Sequence, residues 1–160
     1  MFHVTLAFIG EVAESDLPMI KERAAQLAID VEPSKLVFEG IGCFPAWKHP
    51  RVLWIGVVEQ GFMPFDQDAP LAKLGRDLSK ACLEFTDHKQ EEQVLLHVTL
   101  ARSSDRLKKE DMRLLGELAS ADFWTGFGET TARSVVLYES TLGKSGPVQH
   151  VPIARFPLKS

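Results

Sequence analysis

The stretch His3-Val4-Thr5-Leu6-Ala7 occurs a second time, unchanged, as His97-Val98-Thr99-Leu100-Ala101. Both copies lie among apolar and β-branched residues, which favour extended backbone. Alternate side chains of a strand share a face. His and Thr, two positions apart, therefore point one way, and the neighbouring Val and Leu point the other way into a core. Each copy sets an imidazole beside a hydroxyl, and two copies can supply two of each to one cleft.

Working outward from the first copy, residues 2–9 read as a strand with Phe2, Val4, Leu6 and Phe8 on its apolar face, ended by Gly10. Ser15 or Asp16 then caps a helix whose stripe is Leu17, Ile20, Ala24, Leu27 and Val31, and Pro33 stops it. Residues 36–41 form a strand, 42–50 a long loop, and 51–58 (RVLWIGVV) a strand apolar on nearly both faces, hence central. A helix follows over 70–85, with Leu71, Leu74, Leu78, Cys82 and Phe85 buried. Residues 94–102 are the strand of the second copy. A third helix runs to about 119 with Met112, Leu115 and Leu118 inward, and two strands, 131–140 and 149–156, close the chain.

The order is β-α-β-β, then α-β-α-β-β. That is an internal duplication in elements as well as in motif, with half-repeats of about 1–60 and 68–160 inside one domain of 160 residues. Only the second copy is preceded by a helix, so symmetry predicts that a helix, and a strand with it, is missing before the first.

No apolar run approaches the ~20 residues of a membrane span. Cys43 and Cys82 stand far apart without metal-ligand spacing and read as free thiols of a reducing compartment, so the cytoplasm is the expected location. A net charge of −4 speaks against coating nucleic acid through many phosphates. A nucleic-acid partner should be gripped at one phosphate or one end.

The motif pair suits a definite chemistry. An unperturbed imidazole titrates near pH ~6.5, so of two one can be neutral and one protonated at working pH. The neutral ring takes a proton from a nucleophile, and the protonated ring gives one to a departing alkoxide. The two Thr hydroxyls can donate to the oxygens of a tetrahedral anion, where charge builds up in the transition state. This suits phosphoryl transfer at a phosphodiester, and no His/Asp/Glu clustering suggests a zinc or two-metal site. The plainer possibility is a pair of twin core strands. Such a pair would keep the Val and Leu and let the polar residues differ, whereas here His and Thr persist although the rest of the two halves is dissimilar.

The whole chain resembles the 2H phosphoesterase superfamily, and within it the LigT-type RNA 2′,3′-cyclic phosphodiesterases, the "2′-5′ RNA ligase" family. The resemblance rests on His3 to Val12, on Gly40-Ile41-Gly42-Cys43-Phe44-Pro45 with Arg51 to Val57, and on His97 to Arg102. It extends to Glu139-Ser140-Thr141-Leu142, Gly146-Pro147 and Ala154-Arg155-Phe156-Pro157-Leu158. It implies an α+β fold: a bilobal pseudo-twofold duplication in which two antiparallel sheets flank a central cleft, with helices outside. Members usually carry a strand and a helix before the first motif, in line with the asymmetry above.

The reaction implied is metal-independent opening of an RNA-terminal 2′,3′-cyclic phosphate by water to a 2′-phosphomonoester. Reversible 2′-5′ joining of RNA ends is the alternative main activity, and a nucleotide- or RNA-end-binding module with impaired turnover is the alternative of another class. The resemblance makes His3 the proton donor to the departing 3′ oxygen and His97 the base, although the symmetry of the motifs allows the reverse. It makes Thr5 and Thr99 the phosphate-binding pair. No cofactor and no metal are implied. The partners implied are RNA 3′ ends, tRNA fragments among them, or cyclic nucleotides, met by a monomer without a membrane.

Further residues invite roles. On strict alternation Arg102 faces away from His97 and Thr99, so it reaches a phosphate only if the strand end twists; a solvated strand end is the equal alternative. Phe44, placed in the loop, can stack on a base or pack on the core. Trp47, Lys48, His49 and Arg51 form an aromatic-basic cluster suited to an RNA rim or an ordinary exposed loop. Trp124 and Phe127 read as core or rim aromatics, Lys144 as a weak phosphate candidate, and 108–111 as a solvated helix face. His88 and His150 have no partner in the sequence.

Overall fold

The computed structural model describes residues 2–89, 92–103, 108–119, 126–141 and 148–160. Among the described residues three α-helices, α1 (Leu17–Ile29), α2 (Pro70–Ala81) and α3 (Lys109–Ala119), accompany six strands. The strands are β1 (Ser34–Phe44), β2 (Val52–Glu59), β3 (His97–Arg102), β4 (Gly128–Ala132), β5 (Ser134–Thr141) and β6 (Gln149–Pro157). They form two antiparallel sheets, one in the order β3-β2-β1-β4 and one a β5-β6 hairpin. The fold is α+β, as the resemblance implies. β2 is internal to its sheet, which is why its sequence is apolar on both faces.

One core serves both sheets. Leu36 of β1, Val57 of β2, Val98 of β3 and Phe156 of β6 meet Ala24 and Ala28 of α1 and Leu71 and Leu74 of α2 in a single buried cluster. α2 is anchored at its start by a strand residue. Its N-cap Ala69 has no polar side chain to offer, and buried Glu59 accepts from Leu71 N (2.8 Å) and from Ser34 Oγ (2.5 Å) instead. A carboxylate at a helix N-terminus satisfies an orphan N–H and meets the positive end of the helix dipole.

Three expectations are corrected. Residues 2–9 form no continuous strand: the described pairing is a lone bridge from Val4 to Val98. Val4 and Leu6 pack on the core as alternation predicts, but Phe2 and Phe8 are 73% and 63% exposed. A single bridge fixes the register of the motif without extending a ladder to either side. The strand expected over 131–140 is two strands: β4 closes the larger sheet against β1, and after Arg133 the chain crosses to β5 of the hairpin. The helix expected over 70–85 ends at Ala81, with buried Cys82 as C-cap and a 3₁₀ turn at Leu83–Phe85. In α3, Leu115 is half-buried; the side chains of Met112 and Leu118 lie outside the described residues.

Candidate active site

The Val4–Val98 bridge is antiparallel. In that register Thr5 comes opposite His97 and His3 comes opposite Thr99. Val98 is buried and Val4 packs on the core, so the polar residues on either side of each Val belong to the opposite face. The structure thus brings His3, Thr5, His97 and Thr99 to one face, with each imidazole across from the other copy's hydroxyl. The first motif is also held from behind. Gly75, in the middle of α2, lies under the Leu6 backbone so closely that a Cβ there would stand 3.1 Å from Leu6 C and 3.1 Å from Val94 Cγ2, and nearer still to Leu6 O.

His97 is fixed in tautomer. Its Nδ1 donates to Leu95 O at 2.6 Å. A carbonyl only accepts, so Nδ1 carries the proton, and in the neutral ring Nε2 holds the lone pair. The ring sits beside Phe44 (centroids 5.2 Å apart) and Trp54 (6.0 Å). Its partner across the ladder is Gly56, which carries no side chain to cover it. The Trp54 indole lies directly over Gly42, where a Cβ would come within 2.6 Å of Trp54 Cε2.

Arg102 joins this face for a reason that strict alternation hides. The β2–β3 register pairs Thr99 with Trp54 but Ala101 with Leu53, leaving Leu100 as the extra residue of a bulge. One extra residue reverses the faces beyond it. Arg102 therefore pairs with Val52, which shares the face of Trp54 and Gly56. Phe44 is corrected from a loop residue to the last residue of β1, paired with Val52, with its ring against Trp54 and His97.

Residues 1–142 match the family described as the 2′-5′ RNA ligase superfamily. The chain belongs to this superfamily. A relative from Archaeoglobus fulgidus, named RNA 2′,3′-cyclic phosphodiesterase, is 32% identical over 146 residues, covering 91% of this chain and 74% of that protein. An Aquifex aeolicus protein of the same name is 30% identical, covering 93% and 74%. Among solved structures, a Thermus thermophilus protein superposes with a TM-score of 0.71 at 21% identity, over 99% of this chain and 78% of that one. E. coli LigT complexed with 3′-AMP gives 0.68 at 20%, over 99% and 78%. The fold of this superfamily is thereby that of the present chain.

Sequence reading of this superfamily member missed several residues around the quartet. His150 of β6 meets the His3 ring at 5.0 Å, nearly perpendicular. His150 Nδ1 is hydrogen-bonded to Ser140 Oγ at 2.9 Å, and Tyr138 stands 6.3 Å from the His150 ring. Ser140 and His150 are direct partners in the β5–β6 hairpin, a pairing visible only once the hairpin register is known. Each motif accordingly neighbours a hairpin from the other end of the chain, the second motif on β2 of the β1–β2 hairpin and His3 on β6. Gly75 did leave a signal, because a mid-helix glycine is unfavourable unless something approaches closely.

The Trp47–Arg51 cluster is exposed, with Trp47 38% accessible. Phe127 is 39% exposed; Trp124, Lys144 and Gly146-Pro147 lie outside the described residues. His88 contacts the Phe8 ring at 4.9 Å. Among the described residues no group of His, Cys, Asp and Glu side chains is disposed to hold a metal. Burial pushes the thiols of Cys43 and Cys82 up, against a smaller opposing pull of Arg23 on Cys82. No helix of the described residues is long and apolar enough to cross a membrane.

Proposed function

We propose that the chain hydrolyses RNA-terminal 2′,3′-cyclic phosphates to 2′-phosphomonoesters. The observation that carries this reading is the Val4–Val98 bridge, which draws two His-x-Thr motifs to one face. The name shared by relatives about a third identical over most of the chain supports the substrate class. The phosphate sits between the motifs, with Thr5 and Thr99 donating to its non-bridging oxygens. His97 Nε2 accepts a proton from water as the water oxygen bonds to phosphorus. The P–O3′ bond breaks, and His3 delivers a proton to O3′. The hydrogen bond at Nδ1 means that the neutral His97 ring presents its lone pair at Nε2, the atom a base needs free, and this suits His97 to that role. Arg102, turned to the same face by the Leu100 bulge, takes a phosphate oxygen, and Phe44 borders the terminal base. No metal or organic cofactor takes part.

With a ribose 5′-hydroxyl in place of water, the same steps make a 2′-5′ junction, and their reverse cleaves it. The description of the matching family favours keeping that activity as the second reading. The protein acts in this reading as a cytoplasmic monomer on RNA 3′ ends or cyclic nucleotides. The test is to incubate an oligonucleotide ending in 2′,3′-cyclic phosphate with wild type and His97→Ala in EDTA and to identify the product. A 2′-phosphate from wild type alone is expected. Equal turnover by the two proteins sinks the mechanism, and a 3′-phosphate product sinks the choice of leaving oxygen.

A further inference from the structure

A row of rings leads away from His97. Phe44 and Trp54 flank it, and beyond Trp54, at 6.1 Å and nearly perpendicular, stands Phe65 in the turn between β2 and α2. Phe65 is unusual in two ways. The residue is 46% exposed, and its backbone is left-handed (φ 63°), a region that a bulky side chain avoids. Strain of this kind persists only where the surroundings over-determine it, and here they do. Gln67 Nε2 donates to Phe65 O (2.8 Å) and Val94 O (3.2 Å), and Gln67 Oε1 accepts from Val94 N (3.0 Å) and Arg76 Nη1 (3.0 Å). One carboxamide with all its capacity engaged ties the turn to the segment that leads into β3 and His97. Trp54 is likewise placed for its ring, because Nε1 is buried with no hydrogen-bond partner among the described residues. A core would hide Phe65; this turn is braced to hold it out.

We propose that Phe65 is the platform on which the base of the nucleotide on the 5′ side of the cyclic-phosphate residue stacks. The inference rests on the cyclic-phosphate reading above and specifies how the RNA chain leaves the site. A substrate that ends at the cyclic phosphate has chain on one side only, and the ring row gives that chain a continuous aromatic path from the reacting centre. Stacking accepts any base, so this platform adds affinity for a polymer end without fixing sequence. It also fits a chain of net charge −4, which is poorly equipped to hold a second nucleotide by phosphate contacts. The preference for chain over mononucleotide should then change little with salt.

The test compares a 2′,3′-cyclic mononucleotide with a dinucleotide ending in the same cyclic phosphate, for wild type, Phe65→Tyr and Phe65→Gly. Glycine removes the ring and adopts the left-handed backbone without strain, and a turn loosened by its greater freedom would show in the mononucleotide rate as well as in the ratio. Wild type should prefer the dinucleotide in kcat/KM. Phe65→Gly should shrink that ratio by about tenfold, within the range of a base–aromatic stack, and Phe65→Tyr should keep it. A wild type without preference, or a Phe65→Gly variant that retains it, overturns the platform. Binding of the two 2′-phosphate products is measured beside turnover. If wild type cleaves neither substrate, the cyclic-phosphate reading fails. The platform then stands if wild type binds the dinucleotide product tighter than the mononucleotide product and Phe65→Gly does not, and it falls if wild type binds both alike.

Discussion

Replacing Gly75 by Ala adds one methyl group to α2, and its consequence depends on two opposed magnitudes. By helix propensity alone, Ala in place of a mid-helix Gly stabilises by up to ~1 kcal/mol. At this position, however, the new Cβ stands 3.1 Å from both Leu6 C and Val94 Cγ2 and closer to Leu6 O. Ordinary contact between carbon and a carbonyl oxygen begins at about 3.3 Å. Two of the three atoms are backbone and cannot swing away, so Leu6 must withdraw by on the order of 1 Å; overpacking of this kind costs about 1–3 kcal/mol. The net expectation is a loss of about 0–2 kcal/mol, a fall in melting temperature of at most ~8 °C. Leu6 belongs to the first motif, so the same shift carries Thr5 and His3 away from Thr99 and His97. A displacement of that size at reacting groups can lower the rate about 10²-fold. Gly116→Ala is the control: a Cβ at this position in α3 meets nothing within 4 Å, so stability should rise slightly and activity should hold. Melting curves and hydrolysis of a cyclic-phosphate oligonucleotide read both variants. A Gly75→Ala protein that gains stability as Gly116→Ala does and keeps full activity would refute the packing of the first motif on α2.

The remaining predictions concern the site and its supports. His3→Ala and His97→Ala should each cost about 10²–10⁴ in kcat with melting curves close to wild type, and turnover by wild type should persist in EDTA. The pH–rate profile should be bell-shaped, since one imidazole must be neutral and the other protonated; a rate that only rises with pH would argue for a different base or acid. Glu59→Ala should lower stability by about 1–3 kcal/mol, because Leu71 N and Ser34 Oγ lose a buried acceptor, and thermal melting reads it. Cys43 and Cys82 should react slowly with thiol reagents in the native protein at neutral pH, since burial both covers them and pushes their thiols up; fast labelling of Cys82 without unfolding would contradict its buried place at the end of α2.

What the sequence made legible was whatever depends on period. The inward Val98 and Val4, the apolar β2, and the stripes of α1 and α2 are readable because alternation and helical spacing are properties of the chain itself. What escaped it depends on register. The Leu100 bulge that turns Arg102 to the site exists only in the pairing of β3 with β2, and the contact between His3 and His150 exists only once β5 and β6 have paired. Alternation also over-reached at Phe2 and Phe8, where the pattern runs past the one bridge that gives it meaning. The loop read over 42–50 takes in both Gly42 and Phe44. Gly42 stands instead within β1 because the Trp54 indole occupies the space of its missing side chain.

The two motifs are identical in sequence, yet acid and base must differ. The difference lies in what touches each ring. His97 is anchored through Nδ1 to a carbonyl two residues before it, beneath a wall of Phe44 and Trp54. His3 meets the edge or face of a second imidazole, itself hydrogen-bonded to Ser140. A duplication can copy the pentapeptide but not these surroundings, since each motif borrows its neighbours from the other end of the chain. Exchange of neighbours, with His150→Phe keeping a ring beside His3 but dropping the Ser140 hydrogen bond, separates the two contributions. If the ring contact alone orients His3, His150→Phe keeps most of the activity that His150→Ala loses. If the hydrogen-bonded imidazole is required, the two variants fall together, and the acid side of the reaction then depends on Ser140 as well.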